Sequence, residues 1–157
     1  MSERVYGPAV LDRIAALCEA DPEREVCGFV VARPPARAGA AEALEVVHVQ
    51  NVADRWRTLD PVRFPRSSRE SYLMDPRAQL RLMRELDASG GRVVAIWHSH
   101  VEAGAHFSAR DRADALVDGN PLVPGAEYLV FGVRGGRVAE AKRYVFAFGD
   151  YVERPLA

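Results

Sequence analysis

This sequence has little cysteine, no long apolar run and no excess of charge of one sign. Its 157 residues include two cysteines, Cys18 and Cys27, which are too few for a scaffold held by disulfides. We expect both thiols to be reduced and to pack as small core side chains. No stretch approaches the roughly 18 apolar residues of a membrane-spanning helix, and the N-terminus lacks the apolar core of a signal peptide. We therefore predict a cytoplasmic location.

The near balance of charge limits the possible partners. Lysine and arginine total 21 residues and aspartate and glutamate 22, for a net charge of -1. This balance gives no support for binding to nucleic acid or to an anionic membrane. The length is that of one ordinary domain, the hydrophobic fraction of 48% is typical of a globular protein, and no internal repeat is present. We predict that residues 1–157 form a single domain.

Hydrophobic periodicity predicts helices and strands that do not alternate regularly. Helices are predicted for residues 8–20, from 76 to the Ser89-Gly90-Gly91 turn, and 109–117, and strands for 26–32, 44–50, 92–97, 128–133 and 138–148. This order fits an α/β protein with a mixed, mostly antiparallel sheet flanked by helices. Residues 151–157 are predicted to be a tail.

The segment 53–71 shows no regular periodicity and carries five arginines together with Trp56 and Phe64. A structureless loop of this length inside a compact domain is usually functional or disordered. Arginine with exposed aromatic residues is typical of protein-binding surfaces. The segment is therefore interpreted either as a protein-binding loop or as a solvated basic loop.

Two histidines follow the buried strand 92–97. His98 and His100 are one residue apart, so their side chains should point to the same side at the end of the strand. Ser99, between them, should point away. Seven residues later, Ser108-x-x-Asp111 is typical of a helix start, with Ser108 near the N-cap and the aspartate in the first turn.

Imidazole and carboxylate groups are ligands of Zn²⁺, and three protein ligands leave the open position of a catalytic site. His98, His100 and Asp111 are thus candidate metal ligands. His-x-His alone or Ser-x-x-Asp alone is more typical of a structural role. The joint spacing H-x-H-x7-S-x-x-D is much more specific, because it requires four residues at fixed offsets across a strand, a loop and a helix.

A zinc hydrolase also needs a carboxylate that is not a ligand, to accept a proton from water and return it to the leaving group. Glu25 stands at the entrance of the strand 26–32. On local sequence alone it is typical of a solvated charge between a helix and a strand. Cys27 could in principle be a nucleophile, but no histidine or basic residue stands beside it, and packing under the site is the favoured interpretation.

The segment Glu25-Val-Cys27-Gly28 together with H-x-H-x7-S-x-x-D resembles the JAMM (MPN+) zinc metallopeptidase family, in particular its prokaryotic branch. The resemblance covers most of the chain and every residue that the family uses for chemistry. It implies a curved, cytidine-deaminase-like sheet, zinc at His98, His100 and Asp111, and Glu25 as general base and acid. It further implies that Ser108 stabilises an oxyanion, with N-capping as its structural alternative.

The resemblance also implies a substrate. JAMM peptidases cleave the peptide or isopeptide bond after the C-terminal glycine of a ubiquitin-like protein, and prokaryotic members also process sulfur-carrier proteins, so the expected partner carries a Gly-Gly tail. Two alternatives stay open, namely a catalytically silent scaffold of the same fold and a zinc hydrolase that acts on a small amide. No Pro-Cys-x-x-Cys zinc signature of deaminases is present.

Four further positions carry weaker expectations. Val101 and Phe107 stand where the family often has proline. His106, in the same loop, either approaches the metal or substrate or is an exposed loop residue. Asn51 follows the second predicted strand, where the family often has an asparagine, and is expected to help shape the site.

Overall fold

The computed structural model of the protein describes residues 4–156. Within that range the chain forms helices α1 (Pro8–Ala20), α2 (Ala53–Leu59), α3 (Pro76–Ser89) and α4 (Ala109–Ala115). The strands are β1 (Cys27–Arg33), β2 (Ala43–Val49), β3 (Arg92–Val101), β4 (Leu116–Val117), β5 (Asn120–Pro121), β6 (Glu127–Arg134), β7 (Arg137–Ala147) and β8 (Asp150–Arg154). None of the described helices is long and apolar enough to span a membrane.

Six strands form one sheet in the order β2-β1-β3-β6-β7-β8, while β4 and β5 pair separately. Strands β3 and β6 run parallel, and every other neighbouring pair in the large sheet is antiparallel. The predicted mixed, mostly antiparallel sheet is therefore confirmed. The register sets Cys27 opposite His98, so the entrance of β1 lies beside the end of β3.

Apolar side chains cover both faces of the sheet. Helix α1 contributes Ile14 and Cys18 to the core on one face, and α3 contributes Leu82 and Leu86 on the other. Successive strand residues point to opposite faces, so the central strands β1, β3 and β6 supply side chains to both layers. The sheet is thus flanked by helices, as predicted, and its central strands are buried on both sides.

Gly28 permits the close approach of β1 to its neighbours. A Cβ atom at this position would lie 2.0 Å from the carbonyl oxygen of Val47 and 2.7 Å from the ring of Trp97. The Trp97 side chain is fully buried and donates its indole N–H to the carbonyl oxygen of Phe29. The glycine of the Glu25-Val-Cys-Gly28 segment is therefore required by packing.

The structure corrects two predictions. Residues 53–71 are not a structureless loop, because α2 occupies 53–59 and turns follow at 61–63 and 68–70. Only Ala53 is buried in α2. The sequence of this helix therefore lacks the apolar periodicity from which a helix is predicted. Residues 151–154 of the predicted tail belong to strand β8, which lies on the edge of the sheet next to β7.

Candidate metal centre

Regular secondary structure brings the three predicted ligands together. His98 and His100 lie at the end of β3 on the same face, and both are buried. Ser108 is the N-cap of α4 and forms a capping box with Asp111, which is also buried. In this box the Asp111 N–H donates to Ser108 Oγ over 3.0 Å, and the Ser108 N–H donates to Asp111 Oδ2 over 2.9 Å.

The two imidazole Nε2 atoms and the Asp111 carboxylate oxygens lie close together. The Nε2 atoms of His98 and His100 are 3.2 Å apart. His98 Nε2 lies 3.2 Å from Asp111 Oδ1, and His100 Nε2 lies 3.3 Å from Asp111 Oδ2. Zinc bonds of about 2.0–2.1 Å in a tetrahedral arrangement separate the ligand atoms by about 3.3 Å. The spacing of the His98, His100 and Asp111 side chains is therefore suited to a metal ion.

The two histidines are oriented in different ways. The Nδ1 atom of His100 lies 2.9 Å from the carbonyl oxygen of Gly104, and a proton shared there leaves Nε2 as a lone-pair donor. The buried Nδ1 atom of His98 has no hydrogen-bond partner among the described residues. Instead the ring of Tyr72 stacks on the His98 ring, with centroids 4.5 Å apart and an interplanar angle of 28°.

Burial and the contacts between the three side chains set their pKa values. Burial lowers the pKa of His98 below its usual value, so its imidazole is neutral. Burial would raise the pKa of Asp111, but contacts with His100 and His98 outweigh this and hold that pKa well below its usual range. Burial also opposes the charged form of His100, whereas Asp111 favours it and raises the His100 pKa overall. A buried carboxylate between imidazoles is an attractive place for a divalent cation.

A cavity of about 440 Å³ opens over these residues. Glu25 and Ser108 both line it, together with His100, Asp111 and His106. Glu25 is only 8% exposed, and burial raises its pKa to about 8, against the influence of the His100 charge. The structure therefore brings His100, Ser108, Asp111 and the distant glutamate to one cavity, while the fully buried His98 contacts His100 and Asp111 behind it.

Ser99 fixes the relative position of β1 and β3 at this point. Its Oγ accepts the Val26 N–H over 2.8 Å, and its own N–H donates to the Val26 carbonyl oxygen over 2.9 Å. Ser99 is fully buried and points away from the metal ligands, as expected. Its bond to the residue after Glu25 was not predicted, because nothing in the local sequence relates positions that are 73 residues apart.

Asn51 is a second residue that shapes the site. Its Nδ2 donates to the carbonyl oxygens of Glu25 (2.8 Å) and Ser71 (3.0 Å). Its Oδ1 accepts the N–H groups of Ala53 and Leu73, both over 3.0 Å. The side-chain amide therefore joins the entrance of β1 to both ends of the segment 53–71, in agreement with the weak expectation from sequence.

The remaining candidates have clear positions. Cys27 is buried, its thiol donates to the carbonyl oxygen of Val49, and burial raises its pKa, as expected for a packing residue. His106 is exposed, and its ring centroid lies 4.8 Å from that of His100, so it stands at the rim of the cavity. Phe107 is buried among Tyr128, Tyr144 and Tyr151. Tyr72 gave no local sequence signal for its contact with His98.

Comparison with known proteins gave three findings. A family model described as prokaryotic homologs of the JAB domain matches residues 7–146. The solution structure of protein DSY2949 from Desulfitobacterium hafniense is similar, with a TM-score of 0.63 and 21% identity over 94% of this chain and 86% of that chain. The solution structure of a protein from Salinibacter ruber (strain DSM 13855) has a TM-score of 0.58 and 22% identity over 98% and 90%. No curated protein matches.

Proposed function

The chain belongs to the family of prokaryotic homologs of the JAB domain, and on this basis we propose that it is a zinc-dependent peptidase or isopeptidase. One observation carries the proposal. The Nε2 atoms of His98 and His100 lie 3.2 Å apart and each lies within 3.3 Å of one Asp111 carboxylate oxygen, beside a cavity that the buried, non-ligating Glu25 also lines. A scaffold has no need to keep this set of residues, because buried ionisable groups lower stability unless they bind something.

The donor set of His98, His100 and Asp111 fits Zn²⁺, because neutral imidazole and carboxylate are its common ligands in open, catalytic sites. When bound there, zinc supplies Lewis acidity and lowers the pKa of water to about 7. The protein holds the three ligands through a strand end and a helix N-terminus, so the arrangement is rigid. His100 gains further orientation from Gly104.

Glu25 is assigned as the proton carrier. Its carboxylate accepts a proton from the attacking water and later donates it to the departing amine. Burial raises the Glu25 pKa to about 8, close to neutral pH, which suits a group that must both take and release a proton. The positive charges of Arg66 and Arg110, at the same cavity, favour its ionised form.

Ser108 is assigned to stabilise the oxyanion of the tetrahedral intermediate. Its oxygen accepts the Asp111 N–H within the capping box, and this uses a lone pair but not the hydroxyl proton. The hydroxyl can therefore donate into the cavity, which Ser108 lines. N-capping and oxyanion stabilisation are compatible roles for the same side chain.

The proposed substrate is a ubiquitin-like or sulfur-carrier protein, cleaved after the glycine of its Gly-Gly tail. Family membership supports this assignment. Glycine has no side chain, so an extended tail that ends in glycine can bring its carbonyl close to His100 and Asp111, which are buried but line the cavity. We place this activity in the cytoplasm, where such tails are processed.

The test is cleavage of a ubiquitin-like protein that carries a C-terminal extension after Gly-Gly. Zinc-loaded wild type is compared with Glu25→Ala and with a chelated sample. We expect only the zinc-loaded wild type to cut after the glycine. Stoichiometric zinc without cleavage of any candidate tail would show that the peptide substrate is wrong. Turnover of small amides in the same assay would favour the small-molecule hydrolase, and absence of bound zinc would favour the scaffold.

A further inference from the structure

The main chain of Glu25 is held from both sides by the segment that follows β2. The Glu25 N–H donates to the carbonyl oxygen of Ser68 over 2.7 Å. The Glu25 carbonyl oxygen accepts the side-chain amide of Asn51 over 2.8 Å. The position from which the Glu25 side chain enters the cavity therefore depends on residues 51 and 68 and not only on β1.

Ser68 is in turn held by Asp54. The Ser68 N–H donates to Asp54 Oδ1 over 2.8 Å, and the Ser68 hydroxyl donates to Asp54 Oδ2 over 2.5 Å. Ser68 is only 3% exposed, whereas the side chain of Asp54 is 55% exposed. The Asp54 carboxylate also lies 3.9 Å from the Nε of Arg24. A surface carboxylate thus binds both donors of a buried serine.

Asp54 does not perform the usual task of an acidic residue in a first helical turn. It stands in the first turn of α2, where side-chain oxygens often cap the helix. The N-cap residue Val52 makes no side-chain cap, and the Asp54 carboxylate binds Ser68, which is 14 positions away. The contact therefore fixes the far end of the segment 53–71, where it meets Glu25.

Asn51 closes the same segment at its base. Its Oδ1 accepts the N–H groups of Ala53 and Leu73, and the Val52 N–H donates to the Leu73 carbonyl oxygen over 2.8 Å. The segment is therefore a closed unit with the Asp54–Ser68 contact inside it. A unit of this kind transmits a change at Asp54 to the backbone of Glu25.

We propose that Asp54 and Ser68 are positioning residues for Glu25: their pair of hydrogen bonds sets the backbone of Glu25 and with it the place of the carboxylate in the cavity. The catalytic consequence rests on the proposed peptidase function. A displacement of about 1 Å in a reacting group can cost about 100-fold in rate. Loss of the pair should therefore slow the chemical step without removing any group from the cavity.

The first measurement is independent of activity. Amide hydrogen exchange of Glu25 is followed by NMR in wild type, Asp54→Ala and Asp60→Ala. Asp60 is a matched control, because it lies in the same segment and its carboxylate accepts the Arg63 N–H at an exposed turn. We expect exchange at Glu25 to be at least about tenfold faster in Asp54→Ala and unchanged in Asp60→Ala. Unchanged exchange in Asp54→Ala overturns the proposal.

The second measurement is a double-mutant cycle with Glu25→Ala in the cleavage assay. Asp54→Ala should lower kcat by about 10- to 100-fold, with KM and zinc stoichiometry near wild type. Asp54→Asn, which keeps an acceptor for the Ser68 N–H, should restore part of the loss. In the Glu25→Ala background Asp54→Ala should cost nothing more. An equal loss in both backgrounds would show a general structural role and overturn the proposal.

The two proposals fail in different ways. If zinc-loaded wild type cleaves no tail, the peptidase function fails, and the exchange of the Glu25 amide alone decides the positioning role of Asp54. Asn51→Ala is not used as the primary variant, because it removes four hydrogen bonds and can unfold the segment. Ser68→Ala, which removes only the hydroxyl bond to Asp54, should give a smaller effect of the same kind.

Discussion

The candidate site has two halves that are built by different means. The ligand half, within residues 98–111, takes its geometry from the end of β3 and the capped start of α4. The glutamate half takes its geometry from hydrogen bonds between distant backbone and side-chain groups around Glu25. The ligand half is therefore expected to bind metal regardless of the glutamate half. Metal binding and catalysis should be separable by mutation.

The largest effects are expected from variants that remove one functional side chain from each half of the site. Asp111→Ala removes a ligand and the capping box, so we expect zinc to be lost together with activity. Glu25→Ala removes only the proton carrier, so zinc should stay stoichiometric while kcat falls by about 10²- to 10⁴-fold. Metal analysis and cleavage rates measure both. Asp114→Ala, an exposed carboxylate on α4, is the control. Loss of zinc in Glu25→Ala would contradict the separation.

Variants at Ser108 test whether its hydroxyl takes part in catalysis as well as in capping α4. Ser108→Ala should lower kcat by about 10²- to 10³-fold, because the oxyanion loses a donor. Loss of the N-cap should lower the free energy of unfolding by only about 0.5–2 kcal/mol. Ser108→Thr keeps both functions and should retain most activity. If the loss of stability, measured by denaturant unfolding, explains the whole loss of rate in Ser108→Ala, then Ser108 acts only as the N-cap of α4.

Variants at Tyr72 test how His98 is oriented, since the Nδ1 atom of that histidine has no hydrogen-bond partner among the described residues. Tyr72→Ala removes the ring that stacks on His98, and we expect a loss of about 10- to 100-fold in zinc affinity, comparable to the loss of an outer-shell contact. Tyr72→Phe keeps the ring and should bind zinc as the wild type does. Competition with a chromophoric chelator gives both affinities. Equal affinities for Ala and Phe would exclude an orienting role of the ring.

A further prediction for the glutamate half concerns the stability of metal-free protein and not its activity. Burial raises the pKa of Glu25 from 4.5 to about 8, so between these values the folded state binds more protons than the unfolded state. Stability from this group is complete below about pH 4.5 and is lost as pH rises to about 8. Glu25→Gln should therefore be more stable than wild type by up to about 4 kcal/mol at pH 8 and by less than about 0.5 kcal/mol at pH 4.5.

Urea unfolding of both proteins at the two pH values measures this difference. Glu70→Gln, a change at an exposed position on the same cavity, is the control and should not show it. A gain in Glu25→Gln that is the same at pH 4.5 and pH 8 would show that ionisation is not its cause.

The ligand half could be predicted from sequence because its rules are local. Alternation along a strand gives His98 and His100 one face, and the Ser-x-x-Asp pattern gives Ser108 and Asp111 their cap positions. Helix α3 was predicted for the same reason, since Asp75 accepts the Arg77 N–H and the helix ends at a glycine with positive φ.

The glutamate half could not be predicted in this way. The bonds that position Glu25 join it to Ser68 and Asn51, and no periodicity relates such positions. Helix α2 was missed because it buries almost nothing, and β8 was missed because its five residues pair only along one edge of the sheet. The sequence did contain one sign of the turn between β7 and β8, namely Gly149 in the pair Phe148-Gly149. Both residues of this pair have positive φ in the structure.

The hydrogen bond that the Val26 N–H donates to Ser99 Oγ joins residues 73 positions apart. This long separation has a consequence for the order of folding. The chain closes the short loop between the ligands at little entropic cost, whereas pairing β1 with β3 requires a much longer closure. We therefore expect a refolding chain to gain its capacity for metal before the contact with Val26 brings Glu25 beside it.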